Sequence, residues 1–212
     1  METDKTISQS TSKTSLIGSA KDLFLKYGIK SVSMDDLASL LGISKKTIYN
    51  LVLNKSKLVE AVIRQHIKED HKAIEAIYLK SNSAVHEMIL ITQHVHRTVD
   101  KMKPTMVYDL KKYHKPSWDI IEKEHYSYIR TTIERNVQRG IEEGDYRNDL
   151  DASIISLLYM GLTKIVSNEN LSLEPTMTIS EVYDLMIDYH LNAITNEKGK
   201  EELKMYLNKK EI

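Results

Sequence analysis

Residues 33–58 read SMDDLASLLGISKKTIYNLVLNKSKL, and this stretch sets the fold. Ser33 opens a helix, with Asp36 three residues on, close to a capping box. Leu37, Ala38 and Leu41 form its inward face. Gly42-Ile43-Ser44 then breaks the pattern. Gly42 permits a left-handed turn, Ile43 can plug a core, and Ser44 can cap the next helix. That helix is short, Lys45 to Leu51, and a longer one begins near Asn54–Lys57 and runs to about Lys80. Upstream, Leu16, Ala20, Leu23, Phe24 and Tyr27 lie at the spacing of one helical face, and Gly28 supplies a C-cap.

Two short helices about a glycine-centred turn, the second headed by Ser-Lys-Lys-Thr, predict a helix-turn-helix. Ile48 and Leu51 turn one face of the second helix inward and leave Lys45, Lys46, Thr47 and Asn50 outside. These residue types suit phosphates and major-groove base edges. Taken singly, Lys45 and Lys46 read as solvated charges. The specific signal is the joint pattern of Leu37-Ala38, Gly42-Ile43-Ser44 and Thr47-Ile48-Tyr49.

Working outward, the whole chain has 212 residues, 7 Gly and 3 Pro. Sheets need frequent turns and turns need these residues, so the expected fold class is all-α. Pro104, Pro116 and Pro175 each fit the start of a segment. Residues 1–11 read as a flexible tail. Helices are expected over about 83–101, Pro104–His114, Lys115–Glu143, Asp151–Asn168 and Ser180–Asn196, with a short one near Glu201–Leu207, about nine helices in all. The expected domains are 12–58 for the helix-turn-helix and 59–212 for a helical ligand-binding and dimerisation domain.

The chain has 30 basic and 30 acidic residues. Residues 1–60 hold nine Lys against six Asp/Glu, a surplus of +3 that the remainder balances; a basic head suits an anionic partner. With no Cys, disulfide scaffolds, thiolate zinc sites, iron–sulfur clusters and cysteine catalysis are excluded. The longest nearly apolar run, Ile154–Leu162, is far short of the roughly 18 residues a membrane span needs. No apolar leader is visible at the polar N-terminus, so the expected location is the cytoplasm, with no membrane partner. No phosphate loop, nucleophile elbow or dinucleotide fingerprint is present. His94 and His96, two apart on a helix, point to different faces and complete no HExxH pattern. Catalytic residues, metal ligands and cofactors are accordingly expected to be absent.

Residues 16–62 resemble the DNA-binding domain of the tetracycline-repressor (TetR) family. The residues that carry the likeness are Ala20, Leu23-Phe24, Gly28, Ser33-Met34, Leu37-Ala38, Gly42-Ile43-Ser44, Thr47-Ile48-Tyr49, Asn54-Lys55 and Leu58. Gly140 to Arg147, ahead of Asp149-Leu150-Asp151, resembles the family's junction between its seventh and eighth helices. The resemblance implies an all-helical homodimer that represses transcription and is released by a small ligand. It also implies that Ser33, Thr47, Tyr49 and Lys55 hold phosphates and that Lys45, Lys46 and Asn50 sit at base edges, with Ser44 at the head of the recognition helix. Asn50 stands where a second aromatic is commoner and Leu51-Val52 where many members carry His-Phe, departures that bear on base preference.

Two further features concern the rest of the chain. The stripes Val85, Met88, Thr92, His96, Val99, Met102 and Trp118, Ile121, His125, Tyr128, Ile129, Thr132 are apolar with a few polar handles. Such a composition suits a cavity for a mostly apolar ligand, and Met88, Thr92, His96, Trp118, His125 and Tyr128 are the candidate contacts. Ile154, Ile155, Leu158, Gly161, Leu162 and Ile165, with Val182, Met186 and Tyr189, make wide apolar faces suited to a homodimer seam. The expected function is a repressor bound to a palindromic operator; the alternatives are a DNA-processing enzyme and a ligand-independent DNA-binding protein.

Overall fold

The computed structural model describes the backbone of residues 2–101, 105–166 and 177–208, and the side chains of 13–101, 105–166 and 177–206. Met102, Pro104 and Pro175 lie outside the described residues, and the flexible tail expected over 1–11 lies outside the described side chains. In chain order the helices are α1 (Glu2–Tyr27), α2 (Met34–Leu41), α3 (Lys45–Leu51), α4 (Lys55–Lys80), α5 (Ala84–Val99), α6 (Thr105–Tyr113), α7 (Lys115–Ile120), a π-helical segment (Ile121–His125), α8 (Tyr126–Glu143), α9 (Ala152–Val166), α10 (Ile179–Ile194) and α11 (Glu197–Asn208). The fold is all-α. Among the described residues the only ladder contact is a single bridge between Tyr146 and Thr195.

Eleven α-helices stand among the described residues, where about nine were expected. The short helix expected near Glu201–Leu207 is α11, which is longer at both ends. A further helix arises because Lys115–Glu143 is not one regular helix: the π-helical Ile121–His125 separates α7 from α8. A π turn adds a residue without adding a turn.

The chain forms two compact units. The first comprises residues 1–69 and 101–123, so it takes in α6 and α7 as well as α1–α3 and the beginning of α4. Its core gathers Leu16, Ala20 and Phe24 of α1, Leu37 and Ala38 of α2, Ile48 of α3, Leu58, Val59 and Val62 of α4, Leu110 of α6 and Trp118 of α7. Burial of these side chains supplies the main driving force for the unit. Asp109 of α6 is buried and accepts a hydrogen bond from the Lys30 N–H at 3.0 Å, which ties α6 to the loop between α1 and α2.

The second unit comprises residues 70–100 and 124–212. Met88, Ile133, Val137, Tyr146, Tyr159, Ile187 and Leu191 lie in its core. Glu87 is wholly buried there. Its Oε2 accepts from Asn136 Nδ2 at 3.1 Å and Arg139 Nη1 at 3.2 Å, and its Oε1 faces Arg135 Nη2 at 3.8 Å. Burial pushes the Glu87 carboxyl up, against the lowering effect of Asn136 and the two arginines. The Tyr146 hydroxyl donates to Asn136 Oδ1 at 3.0 Å. The Tyr146 ring covers Gly140, where any Cβ would collide with it. Sequence and packing meet at this point: the ring fits because residue 140 has no side chain.

Candidate nucleic-acid interface

Both helices of the helix-turn-helix are set by their caps. The Ser33 N–H and hydroxyl each donate to Asp36 Oδ2 at 2.7 Å, and the Asp36 N–H returns a bond to Ser33 Oγ at 3.1 Å, a complete capping box. Those bonds lower the Asp36 carboxyl, the backbone bond contributing most. At the other end of α2, Gly42 has φ +63°. Its N–H donates to the Ser39 carbonyl and the Ile43 N–H to the Ala38 carbonyl. This is a Schellman stop, which favours glycine at the left-handed residue. Two residues later Ser44 caps α3: the Thr47 N–H donates to Ser44 Oγ at 3.0 Å, and the two hydroxyls lie 2.8 Å apart.

With its ends fixed, α3 presents two faces. Ile48 is completely buried and Leu51 partly so, whereas Lys45, Lys46, Thr47, Tyr49 and Asn50 are exposed. Lys45 is engaged: its ammonium meets Asp35 Oδ2 of α2 at 2.8 Å, and that contact raises its pKa. Val52 ends the helix in extended conformation. Leu53 follows with 77% of its surface exposed. Asn54 Oδ1 then accepts from the Lys57 N–H at 2.9 Å and opens α4. A groove of about 320 Å³ beside this corner is lined by Leu51, Leu53, Lys13, Lys57 and Arg64 among others.

Lys55 differs from the other expected DNA contacts. It is half-buried, and desolvation pulls its ammonium below the usual lysine range against the opposing pull of Asp109 and Asp36. His114 stands nearby; burial first, and then the Lys55 charge, lower its imidazole. Sequence reasoning missed Asp35, Asp109 and His114. The only available signal was acidic residues at the start of α2, which read equally well as ordinary first-turn carboxylates.

The expected ligand contacts fall in both units. Trp118 belongs to the core of the first unit, with Lys111 Nζ 4.9 Å from its ring centre. In the second unit Met88 is fully buried, and buried Thr92 donates its hydroxyl to the Met88 carbonyl at 2.8 Å. His96 is 38% exposed and faces Asp100 at 2.9 Å and Asp184 at 3.4 Å. His125 and Tyr128 do meet, around His71. The His71 ring stacks on Tyr128 at 3.6 Å, and His125 Nδ1 lies 3.4 Å from His71 Nε2. The Tyr128 hydroxyl donates to Glu75 at 3.0 Å; burial and then this carboxylate push its pKa up to about 12. Asp70 adds contacts to His94 at 2.6 Å and His125 at 3.8 Å. Asp70, His71 and Glu75 went unnoticed in the sequence, and His94 was weighed only as a metal ligand, because their partners lie 24 to 60 residues away. Among the described residues no cluster is arranged to hold a metal ion. No described helix is long and apolar enough to cross a membrane.

A capped pair of short helices with a polar outward face on the second defines a helix-turn-helix DNA-binding protein. Residues 16–62 match the family model described as bacterial regulatory proteins, tetR family. The chain is 28% identical over 175 residues to the uncharacterised HTH-type transcriptional regulator YvaF of Bacillus subtilis (strain 168), covering 79% of this chain and 88% of that protein. Among solved structures, the fold is shared with a TetR-family transcriptional regulator from Agrobacterium tumefaciens (TM-score 0.70, 15% identity, 89% of this chain and 100% of that one). It is also shared with a transcriptional regulator from Saccharomonospora viridis in complex with choline (TM-score 0.68, 18% identity, 89% and 100%). A third is the ketosteroid transcriptional regulator KstR2 of Mycobacterium tuberculosis (TM-score 0.57, 19% identity, 87% and 95%). The chain thus carries a tetR-type DNA-binding domain at residues 16–62 and is similar over most of its length to an HTH-type transcriptional regulator.

Proposed function

We propose that the protein is a cytoplasmic, homodimeric repressor that binds a palindromic operator and is released from it by a small, mostly apolar ligand. The observation that carries this reading is the outward face of α3, where Lys46, Thr47, Tyr49 and Asn50 are exposed around a fully buried Ile48. Residues 12–58 are assigned to DNA and 59–212 to ligand binding and dimerisation. Ser33, Ser44, Thr47, Tyr49 and Lys55 are assigned to phosphates and the head of α3. The dimer is supported by an uncovered apolar stripe: Ile154, Leu157, Leu158 and Ile165 of α9, with Leu185 and Tyr189 of α10, are each more than half exposed. Such a contiguous surface marks an interaction site. Gly161 lies open on the same face.

Ligand contacts are assigned to His125 and Tyr128, with Met88 and Thr92 of α5. Support comes from two relatives of like fold, one bound to choline and one named as a ketosteroid regulator. The ligand lowers DNA affinity only through preference for the arrangement that binds DNA less well. The test is operator selection from genomic fragments, followed by a titration with chemically varied small molecules. The expected hit lowers operator affinity about 5–150-fold and perturbs Trp118 fluorescence. Compounds that bind without changing DNA affinity, across all classes, would support the ligand-independent reading.

A further inference from the structure

The polar residues of α3 are not equivalent, and the reason lies in helix geometry and in one ion pair. At about 100° per residue, Ile48 lies about 300° around the axis from Lys45. Ile48 is the residue that α3 buries completely, so the outward direction is opposite it, at about 120°. Lys46 and Asn50 bracket that direction at about 100° and 140°. Tyr49, at about 40°, and Thr47, at about 200°, lie some 80° to either side. A helix seated in the major groove has base edges beneath it and a sugar–phosphate wall on each flank. Its central residues therefore meet bases and its lateral residues meet the walls. Lys45 lies about 120° from the outward direction, and its ammonium is held at 2.8 Å by Asp35.

We propose that Lys46 and Asn50 alone among the polar residues of α3 read base edges, Lys46 a guanine and Asn50 an adenine. Thr47 and Tyr49 hold the opposite phosphate walls, and Lys45 positions α3 against α2 without reading sequence. The inference rests on the DNA-binding reading above and deepens it. The base identities follow from donor chemistry. An ammonium has only donors and matches the two major-groove acceptors of guanine, O6 and N7. A carboxamide offers one donor and one acceptor and matches adenine N6 and N7. The spacing follows from the helix: four residues rise about 6 Å. Bases on one strand are 3.4 Å apart, so the two bases stand about two steps apart in each half-site.

The experiment selects binding sites for the full-length protein from random-sequence duplex DNA, using wild type, Lys46→Ala, Asn50→Ala, Asn50→Gln and Lys45→Ala. All three positions are exposed, and circular dichroism confirms that each variant is folded. Asn50→Ala is expected to lose the adenine preference by roughly 5–150-fold and to leave the guanine in place. Asn50→Gln restores part of it, because Gln offers the same pair of groups. Lys46→Ala loses the guanine about two steps away. Lys45→Ala keeps every preference of the wild type. Loss of a base preference in Lys45→Ala, or an unchanged motif in Asn50→Ala or Lys46→Ala, overturns the assignment while leaving the regulator standing. A wild-type protein that enriches no sequence overturns both.

Discussion

Asp35 and Lys45 are ten residues apart in the chain and 2.8 Å apart in space, one from each helix of the helix-turn-helix. The pair is well exposed, at 66% and 50%, so it adds little to stability and more to where the charge points. Asp35→Asn releases the Lys45 ammonium and removes an anion from the DNA-facing side. The expected result is tighter binding to DNA of any sequence and a salt dependence steeper by about 0.9 per phosphate gained, with base preference unchanged. Fluorescence anisotropy across a series of salt concentrations measures both. An unaltered slope would show that the freed ammonium does not reach the backbone.

The uncovered stripe on α9 gives a prediction about assembly. Leu158 is 59% exposed, so Leu158→Glu leaves the packing of one protomer intact and places a charge in the middle of the proposed seam. Sedimentation at micromolar concentration should find a dimer for wild type and a monomer of normal helicity for the variant. A monomeric wild type would remove the seam from the account.

A third prediction concerns the close approach of Tyr146 to Gly140. Gly140→Ala forces the ring away from its place, and overpacking of this kind costs about 1–3 kcal/mol. Tyr146→Phe keeps the ring and strands Asn136 Oδ1 without its donor, a loss of about 1–3 kcal/mol for a buried polar atom. Urea denaturation should rank both below wild type. A neutral Gly140→Ala would mean that the ring has room to shift.

His190 predicts a pH dependence. It is buried, packs edge-on against Tyr159 at 5.0 Å, and its Nε2 has no hydrogen-bond partner among the described residues. Burial lowers its pKa from 6.5 to about 4. Between those values the unfolded chain binds a proton that the native one refuses, so stability falls as pH falls from about 6.5 towards 4, by at most about 1.4 kcal/mol per unit. Glu87, pushed up by burial, acts with the opposite sign, and a comparison of wild type with His190→Phe cancels it. Between about pH 6.5 and 4 the wild type should lose stability relative to the variant. Parallel profiles would place the titrating group elsewhere.

The helix-turn-helix was legible because its signals are local. Ser33, Gly42 and Ser44 act within three or four residues of themselves, and the burial of Ile48 follows from its place in a seven-residue helix. What the sequence hid is of longer range. The Asp35–Lys45 pair consists of two surface charges until the turn brings them together. The Lys30–Asp109 bond spans 79 residues. The break within Lys115–Glu143 was hidden as well: Ile121–His125 is π-helical, and no composition rule marks the residue at which a helix changes its period.

Arg139, Glu87, Asn136 and Tyr146 form a hydrogen-bonded chain of polar groups, buried except at the partly exposed arginine. An apolar core accepts drift one residue at a time, each lost methyl group carrying its own transfer and cavity cost. The polar chain does not, because each member is the reason the next is tolerated away from water. Among descendants of this chain the four positions should therefore be inherited as a block, kept together or exchanged together for apolar residues. The substitutions between those two endpoints form a valley that single mutations cross only with a loss of stability.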